Sequence, residues 1–573
     1  MTSAQDLEAY RQFIRERAQS KEYADFMKDL TCRLVEIENT PTQPLDQIAR
    51  NEKQVFDLIE EALRAFADGR IAIERQPINP GIAHHPYFSR LYYTADERHP
   101  EGRDVETTYK DRCNMLVLVD AGQSKSQGRP AILNAHIDTV APFLPCRLDG
   151  QQIHGRGTVD DKGLVVMLVA SLKLLKEAEA KFGPVIGQPL VYQFVIEEET
   201  GGNGSLSASL DERFRGYEAI ICEATELRPH PANRGAMWFK LDFTSKGSGF
   251  DTAEILPFIL VELATEGQKL RQESNEPLFP RDYVQVNLGA LDHFGKHPAT
   301  INDYVAFELG LDYKGPEGER VASRLINIIE AGVKQYCVQY PDRTAEVDPE
   351  TGKPKLNAHY KLTTMDRGNH DRRYKLEVFG LGGHMSTLAL RDNAMIKAGY
   401  LLKGLVCSYK NLPGLALRVR VLDDADGDRC TITGGVGFTP AHRMAALQDR
   451  LKGAVAQGFQ LFDRCAQGSV AADSFAMTFD MLHNEAYVSP VDCPAMKAFK
   501  WAFDAREMPW PTPLAFRASC DARIFGNSGH NTVTFGPGQL SQAHGDHEKI
   551  SLQELQAGLE VVTLATLALT TGQ

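Results

Sequence analysis

Seven polar residues hold the chemistry this chain could perform: His136, Asp138, Asp160, Glu198, Glu199, Glu223 and His544. Each follows an apolar run or opens a buried helix, and each lies beside small residues or glycine. Two imidazoles with several carboxylates suit Zn²⁺ or a similar divalent ion, which takes nitrogen and hard oxygen donors. Without a cation, carboxylates gathered at the end of an apolar sheet would repel one another and carry a heavy desolvation cost. Two cations would offset that charge. In ILNAHIDTV, Ile132 to Val140, alternate residues of an extended chain share a face, so His136 and Asp138 point the same way at the mouth of a strand. Taken alone, a His-x-Asp also describes a strand end meeting water. Glu198 and Glu199 add more, because one carboxylate can coordinate metal while its neighbour takes a proton from water. A solvated helix face is the ordinary setting of a Glu-Glu pair. It does not fit a pair that follows VYQFVI and runs into Thr-Gly-Gly.

These residues need an α/β frame. Helical spacing over Gln54–Ala67 (Val55, Leu58, Ile59, Leu63, Phe66) predicts a helix, followed by strands at Met115–Val119 and Ala131–His136. GRGTVDDKG then leads into a helix from Lys162 to about Lys176, apolar nearly all round and therefore buried against the sheet. Strands at Leu190–Ile196 and Glu218–Cys222 run straight into EEETGG and Glu223. In the tail, a strand at Thr532–Phe535 and a helix from about Leu552 to Leu569 restore the alternation. One α/β domain interrupted by an insertion is expected, with residues 1–239 and 481–573 forming it and 240–480 inserted.

The insertion carries a weak internal repeat. KLDFTSKGSGFDT, from Lys240, aligns without gaps on KLEVFGLGGHMST, from Lys375, and each copy is followed by a helical stretch. Strand-like YVAFELGLDY and CTITGGVGF come later, each before another helical run. Two related α/β lobes, at about 240–340 and 373–470, are expected, joined by a charged linker, PDRTAEVDPETGKPKLN, that should be exposed. Chance similarity of two β-α units is the alternative.

Composition narrows the function classes. The 573 residues exceed one compact core. A formal charge of −13 argues against a nucleic-acid binder, which would carry a basic excess. No segment has the ~18 uninterrupted apolar residues of a membrane span, and the N-terminus has no apolar signal core. The ten cysteines are scattered with no C-x-x-C pair, which predicts neither a disulfide framework nor a thiolate zinc knuckle. A cytoplasmic location is the simplest expectation.

HIDTV, GRGTVDDKG, EEETGG and AHGDHE, in this order, resemble the motifs of the co-catalytic zinc metallopeptidases that include aminoacylase, acetylornithine deacetylase, succinyl-diaminopimelate desuccinylase and carnosinase. The resemblance covers about 30–239 and 480–573, and more loosely 373–470. It implies a phosphorylase/hydrolase-like zinc-peptidase catalytic domain, a mixed sheet flanked by helices, interrupted by a two-lobed α+β lid. By the same resemblance His136 ligates one metal and Asp138 orients it. Asp160 bridges two ions, with its neighbour Asp161 the rival for that role. Glu199 and Glu223 each hold one side, His544 closes the second site, and Glu198 is the general base. The implied cofactors are two divalent ions, Zn²⁺ first, with Mn²⁺ or Co²⁺ as alternatives. His154 and His547 gain no role. GGHMST resembles the lid motif Gly-x-x-His-x-Ser, so His384 is expected to bind substrate and stabilise the oxyanion; the matching position of the first lobe is Gly249.

The expected reaction is hydrolysis of an amide in a small peptide or N-acyl amino acid. A double lobe resembles the layout of bacterial non-specific dipeptidases and implies that a monomer can be active, a dimer remaining open. A dipeptidase needs a cation for the substrate carboxylate. Where relatives place an Arg before Tyr-Pro, this chain has Phe438 in GVGFTPAHR, with Arg443 and Arg429 as nearby substitutes. Deacylation of an N-acyl amino acid is therefore the alternative, and a binder that has lost the chemistry is a further one.

Overall fold

A computed structural model describes residues 4–122, 126–295, 297–313, 316, 320, 323–349, 351–365, 371–410, 412–413, 415–424, 427–467 and 474–573. The chain divides into two compact units, Met1–Gly235 with Pro277–Phe279 and Met481–Gln573, and Ala236–Glu276 with Pro280–Asp480.

The first unit is built on a six-stranded mixed sheet in the order Ile71–Pro77, Cys113–Val119, Leu190–Val195, Ala131–His136, Glu218–Cys222, Thr532–Phe535. The first two strands pair antiparallel with their neighbours, and the last four run parallel. Both faces are covered, so the parallel strands are apolar at nearly every position rather than alternating. Met115, Val117, Leu133, Tyr192 and Ile220 enter one core, and Leu116, Ile132, Val191 and Ile221 enter the other. Over the larger core lies the helix Lys162–Phe182, packed against Ala131–His136 and the helix Leu552–Thr571. Leu552–Thr571 starts in a capping box: the Ser551 hydroxyl accepts the Glu554 N–H at 3.1 Å, and the Glu554 carboxylate accepts the Ser551 N–H at 3.1 Å.

The second unit holds two four-strand ladders. One runs Gln285–Leu291, Arg429–Phe438, Gly235–Thr244, Phe475–Thr478, and the other Tyr360–Thr364, Asp371–Phe379, Tyr304–Tyr313, Leu415–Val421. Tyr304–Tyr313 pairs with strands from beyond residue 360, and Arg429–Phe438 pairs with Gln285–Leu291. Each sheet thus draws strands from both halves of the insertion. The helices Thr252–Glu273, Leu325–Gln339, Ala394–Tyr409 and Met444–Ala466 pack on one another beside these sheets. Both copies of the repeat are a strand followed by a helix, but they lie in different sheets.

Among the described residues no helix is long and apolar enough to cross a membrane. The cysteines depart from expectation at one place, where Cys32 and Cys146 are joined as a disulfide. They are 114 residues apart, so only the tertiary packing of the helix Lys21–Val35 beside the segment entering Arg147–Asp149 brings them together.

Candidate active site

Parallel register places the chemistry at one sheet edge. His136 is level with Val195, and Asn134 with Ile221. Glu198 and Glu199, just past Val195, and Glu223, just past Cys222, therefore emerge at the same carboxyl end as His136, where open α/β sheets collect ligands. Asp160 arrives on the turn before the helix Lys162–Phe182, and His544 on the loop before Lys549–Ser551.

Within this edge Asp160 stands between the two imidazoles. Its Oδ1 lies 3.0 Å from His136 Nε2 and its Oδ2 3.3 Å from His544 Nε2. His544 Nε2 is also 3.0 Å from the Glu199 carboxylate. Ligand atoms of His136, Asp160 and Glu223 lie within 4.8 Å of one another, and so do those of Asp160, Glu199 and His544. The two triads share Asp160. A third grouping, His136 with Glu198 and Glu199, meets the same limit. Asp138 faces His136 Nδ1 at 3.5 Å, and its two oxygens accept the backbone N–H groups of Glu198 and Glu199 at 3.1 and 3.0 Å. The Asp138 backbone carbonyl lies closer to His136 Nδ1, at 3.0 Å, so this residue holds the histidine while its carboxylate fixes the Glu198–Glu199 turn. Asp161 is turned differently: its Oδ2 accepts the His136 backbone N–H at 3.1 Å, and it enters none of the three groupings. His547 is exposed and His154 half-buried, and neither enters a convergent donor group among the described residues.

The electrostatics follow from burial. Desolvation pushes Glu198 well above the carboxylate range, with Asp521 and Glu199 adding to it. Glu223 is pushed up by burial, then by Asp160 and Glu198. Burial works against a charged His136, yet Asp138 and Asp160 overcome it and hold this imidazole well above its usual value. Glu199 and Asp160 do the same for His544. Like charges buried this closely must take up positive charge, as protons or as metal. The oxygen and imidazole donors fit Zn²⁺, Mn²⁺ or Co²⁺.

The backbone around Glu198 is specialised. Glu197 and His544 hold φ of +67° and +62°, in the left-handed region, where non-glycine residues gather at functional sites. Behind the turn, Gly202 has φ +84°, and a Cβ there would meet Ile524 Cδ1 at 2.5 Å and Asp521 Oδ1 at 2.7 Å. Only glycine fits.

Several supporting residues have no motif to reveal them. Glu197 accepts from the hydroxyls of Tyr93 and Tyr109 and from Arg112 Nη1, the last at 2.6 Å. Arg112 also holds Glu52 through two bonds, 2.6 and 2.9 Å. Glu548 organises the Asp160 loop: its Oε1 accepts from the N–H groups of Gly157, Val159 and Asp160 at 2.9–3.2 Å, and its Oε2 pairs with Arg156 at 2.6 Å. Glu197 and Glu548 were within reach of sequence reasoning, as the first Glu of EEETGG and the last residue of AHGDHE. Arg112, Glu52 and the tyrosines were not.

The remaining expected residues belong to the second unit. His384 ends the short strand Gly383–His384, level with Thr300. Its Nδ1 accepts from the Ser386 N–H at 3.2 Å and lies 2.8 Å from the Ser386 hydroxyl. That assignment leaves the ring proton on Nε2, the tautomer that donates a hydrogen bond from that atom. Phe438 is buried at the end of Arg429–Phe438. Arg429 is exposed at the start of that strand, and Arg443 is exposed before the helix Met444–Ala466.

The sequence pattern described as peptidase family M20/M25/M40 matches residues 132–568. The chain belongs to this family. A probable carboxypeptidase of Aspergillus flavus is 34% identical over 397 residues, 60% of this chain and 89% of that relative. A probable carboxypeptidase of Aspergillus terreus is 27% identical over 266 residues, covering 43% and 53% of the two chains. An acetylornithine deacetylase of Aliivibrio fischeri is 24% identical over 256 residues, 42% and 64%. In these last two alignments the chain spans only about half to two thirds of the relative's length. Among solved structures, human carnosine dipeptidase 1 superposes with a TM-score of 0.53 at 12% identity, over 98% of this chain and 99% of that one. The di-peptidase Dug1p of Saccharomyces cerevisiae gives 0.54 at 10% identity, over the whole of both chains. These two likenesses bear on the M20 fold.

Proposed function

We propose that this M20 chain hydrolyses an amide bond in a small substrate, a dipeptide or similar short peptide, with two divalent ions held by His136, Asp160, Glu199, Glu223 and His544. One observation carries the reading: the two donor triads share Asp160, with Glu198 in the same cluster. Divalent ions bound there would make a water more acidic and polarise a carbonyl oxygen. Glu198 takes the proton as that water attacks the carbonyl carbon, and gives it to the amine nitrogen as the C–N bond breaks. Burial supports Glu198 in this part, because it raises the carboxylate's affinity for a proton. Asp138 keeps Glu198 in place through the backbone and orients His136. His384, protonated on Nε2, is suited to donate to an oxyanion.

Peptide substrates are favoured by the fungal relatives named as carboxypeptidases. Phe438 in place of a carboxylate-binding Arg, together with the acetylornithine deacetylase relative, supports the second reading, an N-acyl-amino-acid deacylase; Arg443 is the substitute cation in the first. A panel of dipeptides, C-terminal tripeptides and N-acyl amino acids, run with Zn²⁺, Mn²⁺ and Co²⁺, separates the two. Glu198→Gln should keep its metal and lose on the order of 10²–10⁴-fold in kcat. A near-normal rate for this variant would remove Glu198 from the role of base. Full metal content with no hydrolysis across the panel would leave a metal-binding protein without this activity.

A further inference from the structure

The second unit carries a convergent donor set unrelated to the sheet-edge cluster: Cys337, Asp342 and His359. We propose that these three residues form a separate zinc-class metal site, which clips the end of the helix Leu325–Gln339 to the start of the strand Tyr360–Thr364. Cys337 Sγ lies 4.0 Å from His359 Nε2, Asp342 Oδ1 lies 3.1 Å from the same nitrogen, and all three ligand atoms fall within 4.8 Å of one another. Tetrahedral zinc, with bonds of about 2.3 Å to sulfur and about 2.0–2.2 Å to nitrogen and oxygen, needs donors roughly 3.3–3.6 Å apart by that geometry. The sulfur–nitrogen and nitrogen–oxygen separations meet it with shifts of about half an ångström or less, and the sulfur–oxygen separation, within 4.8 Å, by closing up to about 1.3 Å.

The orientation excludes another use of the same residue types. In a Cys–His–Asp relay the carboxylate holds one ring nitrogen and the thiol faces the other. Here Nε2 faces both, with the Thr344 hydroxyl 3.5 Å away, and Nδ1 has no partner among the described residues, so the ring is aimed by what Nε2 meets. Each donor is held by its own backbone. Cys337 is in the last turn of its helix. Asp342 accepts the Thr344 N–H at 2.9 Å and the Thr344 hydroxyl at 2.6 Å. The His359 carbonyl accepts the Phe379 N–H at 3.0 Å, fixing it to the neighbouring sheet. One thiolate and one carboxylate balance a divalent ion. The nearby cation Lys397 is already paired with Asp392 at 2.6 Å. Burial and Lys397 keep His359 below its usual value, hence neutral and able to ligate, while burial raises the Cys337 thiol; metal uptake would release that proton. The thiolate and imidazole select zinc-like ions over Mg²⁺ or Ca²⁺. The charged segment PDRTAEVDPETGKPKLN holds Asp342 as its second residue and ends two residues before His359, so the site would tie together the two ends of this linker.

Cobalt substitution of the full chain tests the proposal independently of hydrolysis. The sheet-edge donors are imidazole and carboxylate only, so a thiolate-to-Co²⁺ charge-transfer band in the near ultraviolet reports a cysteine ligand. The pair of exposed Cys407 and half-buried Cys465, with sulfurs 2.6 Å apart, is the competing thiol source. The band should be present in the wild type and in Cys407→Ser, and lost in Cys337→Ser. Metal content should fall by one ion per chain in Cys337→Ser and in His359→Gln, with the hydrolysis rate unchanged. Should Cys337→Ser fail to fold, Asp342→Asn must shift the cobalt spectrum. No band in the wild type, a band that survives Cys337→Ser, or equal metal content in all variants would overturn the site.

Discussion

Arg112 offers a direct test of the frame behind the Glu198–Glu199 turn. Its guanidinium spans Glu52, at 2.6 and 2.9 Å, and Glu197, at 2.6 Å, and the three side chains are at most 4% exposed. Arg112→Met keeps much of the stem's packing while removing the charge. Two buried carboxylates are then left without their cation. Removing one partner of a buried pair costs about 3–5 kcal/mol, and here one cation serves two acids, so the upper end is expected. The pH dependence has a definite sign. In the variant the Glu52 carboxyl, which burial already pushes up, loses the guanidinium that opposes the rise, so the folded state binds more protons than the unfolded and stability falls as pH rises. Urea unfolding should show the full deficit at pH 7 and a smaller one at pH 5. Adding Glu52→Gln to Arg112→Met should recover part of it. Because Glu197 adjoins Glu198, a displacement of about 1 Å in the turn is enough for a fall in kcat on the order of 10²-fold, with metal content retained. A variant within about 1 kcal/mol of wild type at both pH values, less than any buried pair should cost, would refute the network as described.

Gly202→Ala places a Cβ 2.5 Å from Ile524 Cδ1 at a φ of +84°; a loss of about 1–3 kcal/mol should appear in thermal unfolding, and an unchanged Tm contradicts the packing. His230 is buried with Nδ1 donating to the Leu514 carbonyl at 2.8 Å, and burial lowers its pKa to about 4. A depressed folded pKa means stability present above pH 6.5 and lost as pH falls toward 4, about 3 kcal/mol in all at 1.36 kcal/mol per unit. His230→Phe should flatten that slope, and an identical slope in both proteins removes His230 as its source. Dialysis against a chelator should lower Tm, and Zn²⁺, Mn²⁺ or Co²⁺ should restore it, by about 2.7 kcal/mol when the ion is at a hundred times its Kd; a Tm indifferent to demonstrated metal loss argues against the cluster as a cation site.

The strands bearing the site were legible because they are buried on both faces. Ala131–His136, Glu218–Cys222 and Thr532–Phe535 have the bounds expected from their apolar runs, and so, in the second unit, does Tyr304–Tyr313. Where helices leave the apolar pattern the reading fell short. Lys162–Phe182 runs past Lys176 because Lys176 and Arg70 hold Glu179 there. Leu45–Arg64 begins well before Gln54, its early turns burying Asn51 and Glu52, polar residues held by the Glu38 carbonyl and by Arg112 outside the helix. Strand partners in the insertion were not legible at all. Nothing within YVAFELGLDY says that it pairs with Asp371–Phe379 and Leu415–Val421.

The same division runs through the site and explains its electrostatics. Residues that must meet a cation are restricted by chemistry to imidazole and carboxylate, so they leave recognisable types at the ends of apolar strands. Residues that hold them need only some hydrogen bond or charge, and many sequences supply one. Two outer acids are satisfied by the backbone, Asp138 by two N–H groups and Glu548 by three, while Asp161 accepts one and leaves its Oδ1 without a hydrogen-bond partner among the described residues. Glu197 is satisfied by two hydroxyls and a guanidinium. Of the inner acids, Asp160 and Glu199 meet imidazoles. The unmet demand for positive charge therefore falls on Glu198 and Glu223, both pushed well above the usual carboxylate range by burial, beside Asp160, the residue shared by both donor triads, which is the place where divalent ions would supply it.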